Sequence, residues 1–153
     1  LERRELPDGF ELSDARAIVT IRRPAKHIEL IRCDGYAEAI HIELILKNRE
    51  AILAECGRIA LFDDLEDLRG YDSGVRLRLT DWGKKHRAQI VAFHILTRSR
   101  LVAMGVTVAN LALGGHIRAH TNRASFDVAL RKEKTRPGAS TAGEIDELKN
   151  KSS

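Results

Sequence analysis

Leu61-Phe62-Asp63-Asp64-Leu65-Glu66-Asp67-Leu68-Arg69-Gly70-Tyr71-Asp72-Ser73-Gly74 is the stretch on which the fold turns. It closes a short apolar run, residues 58–63, that reads as a buried strand. Asp72 or Ser73 can then cap the helix that follows, because a short polar side chain there accepts from the free N–H groups of a first turn. A strand, a short loop and a helix therefore meet within fourteen residues. The acids 63–67 predict solvated loop charge. Their alternative reading, a Mg²⁺ or acid–base site at a strand end, lacks a nucleophile–base pair and a phosphate-cradling glycine loop nearby.

Toward the N-terminus, residues 16–22 alternate, with Ala17, Val19 and Ile21 on one face. Arg23-Pro24-Ala25-Lys26 breaks that run, and residues 27–33 resume the alternation, which predicts a hairpin. From about Ala37 to Cys56 the period becomes helical, through Ile42, Ile45, Leu46, Ile52 and Leu53, with Gly57 as the stop. Toward the C-terminus, Val75, Leu79, Trp82 and His86 form one stripe of a helix, and residues 89–96 form a second buried strand. A helix capped by Thr97 or Ser99 runs to Leu113. Residues 115–120 suit a short edge strand, and 122–132 a last helix carrying Phe126 and Leu130. The order ββαβαβα(β)α predicts an α/β fold: a mixed four- to five-stranded sheet, an N-terminal hairpin plus parallel crossovers, with about four helices. One domain is expected over 1–133, followed by a flexible polar tail over 134–153.

Composition narrows the function classes. The chain has 153 residues, 43 % apolar and 31 % charged, enough for one core and too mixed for a disordered chain or a coiled coil. The 26 basic against 22 acidic residues leave a charge of +4, spread along the chain. With 5 % aromatics and no basic stripe, nucleic-acid binding is not expected. Cys33 and Cys56 form no CxxC pair, so neither a zinc ribbon nor a disulfide framework is expected, and a reducing cytoplasmic setting is. The opening residues 1–5 are charged, so no signal peptide is expected, and the uncharged run Leu101–Ile117 falls short of the ~20 apolar residues of a spanning helix. His116 and His120 stand four apart on an expected strand without a further ligand, so no metal and no cofactor is expected. His94 reads as a core or rim histidine.

Two segments bear on binding. Arg98-Ser99-Arg100-Leu101-Val102-Ala103-Met104-Gly105 opens a helix with two arginines, and Gly105, Ala109 and Ala112 follow as a small-residue face. Its plain reading is close helix packing with surface arginines; its functional reading is an anion pocket beside an apolar surface. Asp72-Ser73-Gly74 reads plainly as an N-cap and functionally as a phosphorylation site, where a phosphate adds about 1.5–2 negative charges at a helix start.

The segment 61–74, with the hairpin and helix before it and the strand and helices after it, resembles the STAS domain of anti-sigma-factor antagonists. Residues 98–115 with the Phe126–Leu130 helix look most like its SpoIIAA-like branch, which is compared with CRAL-TRIO lipid-binding domains. The resemblance covers about residues 10–132. It implies a non-enzymatic domain that binds a regulatory kinase and is switched by phosphorylation of the helix-start serine, here Ser73.

The leading expectation is thus a cytoplasmic regulatory interaction module with its partner surface at Asp72, Ser73, Gly74, Arg98, Ser99, Arg100 and Met104. The alternative is a small-molecule or lipid carrier. In it Leu101, Met104, Val108 and Leu111 line an apolar pocket, and Arg98 or Arg100 holds an anionic head. An enzyme built from His94, Asp63 and Ser73 ranks third. Homodimerisation is open through the 101–113 helix or an edge strand of the hairpin.

Overall fold

A computed structural model describes residues 1–136. Its elements are β1 (Glu2–Leu6), β2 (Gly9–Ser13), β3 (Ala17–Ala25), β4 (Ile28–Ala37), α1 (Ala39–Cys56), β5 (Ile59–Leu65), β6 (Leu68–Tyr71), α2 (Ser73–Lys85), β7 (Ile90–Thr97), α3 (Arg100–Ala112), β8 (Arg118–His120) and α4 (Arg123–Thr135). The four helices and the mixed sheet are those the pattern predicts. The sheet has eight strands rather than four to five, in the order β1-β2-β3-β4-β5-β7-β8, with β6 also paired to β4. The additional strands are β1, β2 and β6. β1 reads Glu-Arg-Arg-Glu-Leu and is nearly all exposed, so it has no buried face to write an alternating pattern. β6 is four residues long and carries Gly70.

β4 lies at the junction of two regimes. On one side β1 to β4 form an antiparallel meander. On the other, β4 pairs in parallel first with β5, from Ile28↔Ala60 to Arg32↔Asp64, and then with β6 at Gly35–Ala37. β3 does not stop at Arg23-Pro24. It runs through them on a register shift between Arg22 and Ala25, the irregular place in a ladder where a residue without an N–H is tolerated. Gly35 has φ +110°, and a Cβ there would lie 2.2 Å from the Arg16 carbonyl oxygen. Only glycine suits that crossing.

The alternation of each strand sorts side chains into two cores. Val19, Ile21, Ile31, Cys33, Ile59, Leu61, Phe93 and Ile95 face α1, α2 and α3 in the larger one. Ala60, Phe62 and Leu96 face the other way and meet Phe126 of α4. α1 stops where Gly57 takes φ 70° and its N–H returns to the Leu53 carbonyl. α4 is fastened at its far end by His27 Nε2 and Glu133 Oε1, 2.9 Å apart and both buried. It thereby ties the end of the described chain to the β3–β4 turn. Among the described residues no helix is long and apolar enough to cross a membrane. Lys134 and Thr135 complete α4; from residue 137 the expected tail lies outside the described residues.

Candidate functional site

The structure places an apolar-walled recess beneath the helices of the larger core. A cavity of about 110 Å³ lies between the sheet and α1, α2 and α3. Its sheet wall carries Val19, Ile31, Asp63, Phe93 and Ile95; α3 contributes Val102, Gly105, Val106 and Ala109. Of its lining residues only Leu65, Tyr71, Arg76, Leu79, Thr80 and Ala109 keep appreciable exposure. Four of these belong to α2 and α3, so the cavity meets solvent between those helices. Gly105 explains how α3 comes so close: a Cβ there would fall 2.1 Å from the Tyr71 hydroxyl.

The floor is charged. Arg49 of α1, fully buried, donates from Nε to Glu29 Oε1 at 2.7 Å and from Nη2 toward Asp63 at 3.2 and 3.4 Å. Asn48 donates to the other oxygen of Glu29 at 2.6 Å. The Arg49 guanidinium also lies 5.4 Å from the Trp82 ring centre. Burial pushes the carboxyls of both Glu29 and Asp63 above the usual carboxylate range, and the nearby Arg49 charge pulls them part of the way back. At the mouth Arg76 of α2 has no ion-pair partner among the described residues. The other lining base, His41, is committed. Its Nδ1 accepts from the Glu38 N–H at 2.9 Å and its Nε2 donates to Asp14 at 2.7 Å. Asp14 also accepts from the N–H groups of Arg16 and Ala17, which brings its pKa down to about 2.

The segments singled out in sequence lie around this recess, not inside it. α2 follows β6 and α3 follows β7, both parallel to β4 and β5, so both helix N-termini sit at one edge of the sheet. Ser73 and Gly74 are exposed in the first turn of α2. Asp72 takes the N-cap position, but its side chain makes no capping bond. Ser99 caps α3, accepting from the Val102 N–H. Arg98 is held at 2.7 Å by Glu66, and Arg100 is exposed.

The pocket-lining expectation needs correction. Leu101, Met104, Val108 and Leu111 face solvent, with Met104 68 % and Leu111 79 % exposed, while Val102, Val106 and Ala109 line the cavity. Neither Arg98 nor Arg100 reaches it; Arg76 does. α3 is apolar all round, so its period could not say which face turned inward. Three of the four acids over 63–67 are withdrawn from solvent, while the Asp67 side chain stays exposed as expected. Asp63 and Asp64 are 6 % and 5 % exposed and point to opposite faces, Asp63 to Arg49 and Asp64 to Arg123 at 2.8 Å. Glu66 and Asp67 are likewise paired, with Arg98 and Arg123 and with Arg32.

His94, Asp63 and Ser73 do not converge, because His94 lies on the α4 side, stacked on Phe62 with ring centres 4.8 Å apart. It forms a chain there instead: His94 Nδ1 to His120 Nε2 at 2.8 Å, and His120 Nδ1 to Ser125 Oγ at 2.8 Å. Burial and the neighbouring His120 take His94 down to about 4, and burial lowers His120 too, so both rings stay neutral at pH 7. His116 turns instead to the Ile90 carbonyl at 2.8 Å. Among the described residues no three His, Cys, Asp or Glu side chains gather as a metal site. The edge expected of the β3–β4 hairpin is covered as well, since β2 and β5 flank it.

These features sit on a recognisable scaffold. An uncharacterized protein of the DUF3478 family from Shewanella loihica PV-4, whose structure has a SpoIIAA-like fold, is similar to this chain with a TM-score of 0.55, covering 78 % of this chain and 98 % of its own at 17 % identity. The fold is SpoIIAA-like. That likeness carries the architecture alone and no link to CRAL-TRIO domains. No family model and no curated protein matches the sequence.

Proposed function

We propose that this SpoIIAA-like domain is a non-catalytic binding module that takes a small amphiphile into the cavity beneath α2 and α3. The observation that carries the reading is the cavity: apolar walls, a mouth between two helices, an arginine at that mouth with no ion-pair partner among the described residues, and a few polar groups at the floor. Ligand sites typically combine these features. Its volume is somewhat below the ~150 Å³ of an apolar cavity that holds benzene, so the occupant is a short alkyl chain or a small ring. Arg76 would hold an anionic head at the entrance. The setting on this reading is the cytoplasm, where Cys33 and Cys56, both free, stay reduced.

Methyl NMR spectra recorded during titration with hexanoate test the reading. Shifts are expected at Ile42, Ile45, Leu79, Val102 and Val106. No shift, or equal shifts at the outward Leu101 and Leu111, would refute it.

A second reading, a regulatory module switched at Ser73, is favoured by one feature: the serine is exposed in a helix first turn that the N-cap side chain of Asp72 does not cap. A phosphate there meets the positive end of the α2 dipole, with the Asp72 carboxylate beside it as the opposing charge. The test is exposure to candidate kinases followed by intact mass, with Ser73→Ala as control. No modification, together with unchanged partner binding by Ser73→Asp, would sink the switch.

A further inference from the structure

The two carboxylates on Arg49 are not equally provided for. Each ionised carboxylate offers about four acceptor positions. Glu29 takes one short bond on each oxygen, from Arg49 Nε and Asn48. Among the described residues Asp63 takes only Arg49 Nη2, at 3.2 and 3.4 Å, one nitrogen shared between two oxygens. Asp63 is also the carboxylate of the pair that lines the cavity; Glu29 does not. One buried cation is shared by two buried carboxyls, so the floor has no spare positive group to receive an anion.

We propose that the ligand carries a hydrogen-bond-donating group, hydroxyl or ammonium, at its inner end, and that Asp63 receives it. This rests on the cavity being a ligand site, and it fixes the polarity of the occupant: an anionic end at Arg76 on the helix side, an apolar body, and a donor against the sheet. Burial raises the pKa of Asp63 even though Arg49 pulls it back, and a donor at its open acceptor positions would oppose that effect of burial. The other polar groups deep in the cavity do not compete for the donor. His41 has both nitrogens bonded, and the Cys33 thiol is a weak acceptor held protonated by burial, its pKa pushed up to about 12.

The test compares hexanoate, 6-hydroxyhexanoate and 6-aminohexanoate on the unaltered protein, with affinity read from the Val102 and Val106 methyl shifts. At least one donor-bearing acid should bind about tenfold more tightly than hexanoate, the scale of one added hydrogen bond to a buried charged acceptor. Asp63→Val should reverse the order, with hexanoate binding best. A preference for the hydroxyl alone identifies the donor as neutral, and one for the amine alone as a cation; either supports the proposal. If hexanoate binds as tightly as both, the donor assignment fails while the cavity reading stands. If none of the three shifts the inner methyls, the cavity reading fails and the donor assignment with it.

Discussion

Replacing Arg49 by methionine isolates the electrostatics of the core. The arginine is buried between Glu29 and Asp63, and methionine fills much of its volume while deleting its charge. Removing one partner of a buried ionic group costs about 3–5 kcal/mol, because the remaining charge is left unpaired in a poor solvent. For a domain of this size that is a fall in Tm of roughly 6–20 °C. The loss should depend on pH, and the direction follows from the carboxyls. In the fold burial raises both above their ordinary values, so the folded chain binds protons more tightly than the unfolded one. Their contribution to stability is therefore largest below the usual carboxylate range and declines as pH rises through the raised values. Deleting Arg49 removes the strongest influence holding those values down, which pushes the decline to higher pH and deepens it. Urea unfolding followed by Trp82, the single tryptophan, should show a large deficit for Arg49→Met at pH 7.5 that narrows by pH 5. Adding Glu29→Gln should recover part of it at pH 7.5. A deficit below about 1 kcal/mol, or one identical at both pH values, would show that the three charges are not the buried group described.

Further outcomes follow from single contacts. Gly105→Ala should cost about 1–3 kcal/mol by overpacking against Tyr71, and Tyr71→Phe, which deletes the clashing oxygen, should return most of it in the double variant's melting curve. Gly35→Ala should cost about 3 kcal/mol or more, from positive φ and the collision with the Arg16 carbonyl together; wild-type stability in urea would contradict the crossing. His94 should titrate near 4 by NMR. Its contribution to stability is present above the ordinary 6.5 and is lost as pH falls toward 4, because the unfolded ring takes a proton that the folded one refuses. His94→Phe should flatten that segment of the stability profile.

The parts of the fold that bury one face of a strand or one stripe of a helix could be read from sequence. Val19 and Ile21 alternate into the core, and Gly57 ends α1 where the pattern stops. β1 escaped because an exposed edge strand has no inner face, and β6 because four residues are too few to show a period. The site was less legible for a related reason. Arg49 sits on the buried stripe of α1 and Asp63 at the end of an apolar strand, each of which looks in isolation like a surface charge. Their pairing joins residues 14 apart across two elements, and only the packing of α1 on β5 creates it. α3 shows the opposite difficulty, with apolar residues on every side and nothing in the period to choose between Val102 and Met104.

The arrangement of β4 between an antiparallel meander and a parallel half also divides the chain in time. Within the first 37 residues each strand pairs with the strand next to it in sequence, so the loops of the meander close at small entropic cost and quickly. β5, β7 and β8 must each wait for a helix to carry the chain back across the sheet. On a ribosome the meander would emerge first and stand as a template on which β5, β7 and β8 assemble in the order of their synthesis. Among the described residues Glu133 would reach His27 last, so the contact between α4 and the β3–β4 turn closes after the rest of the sheet is in place.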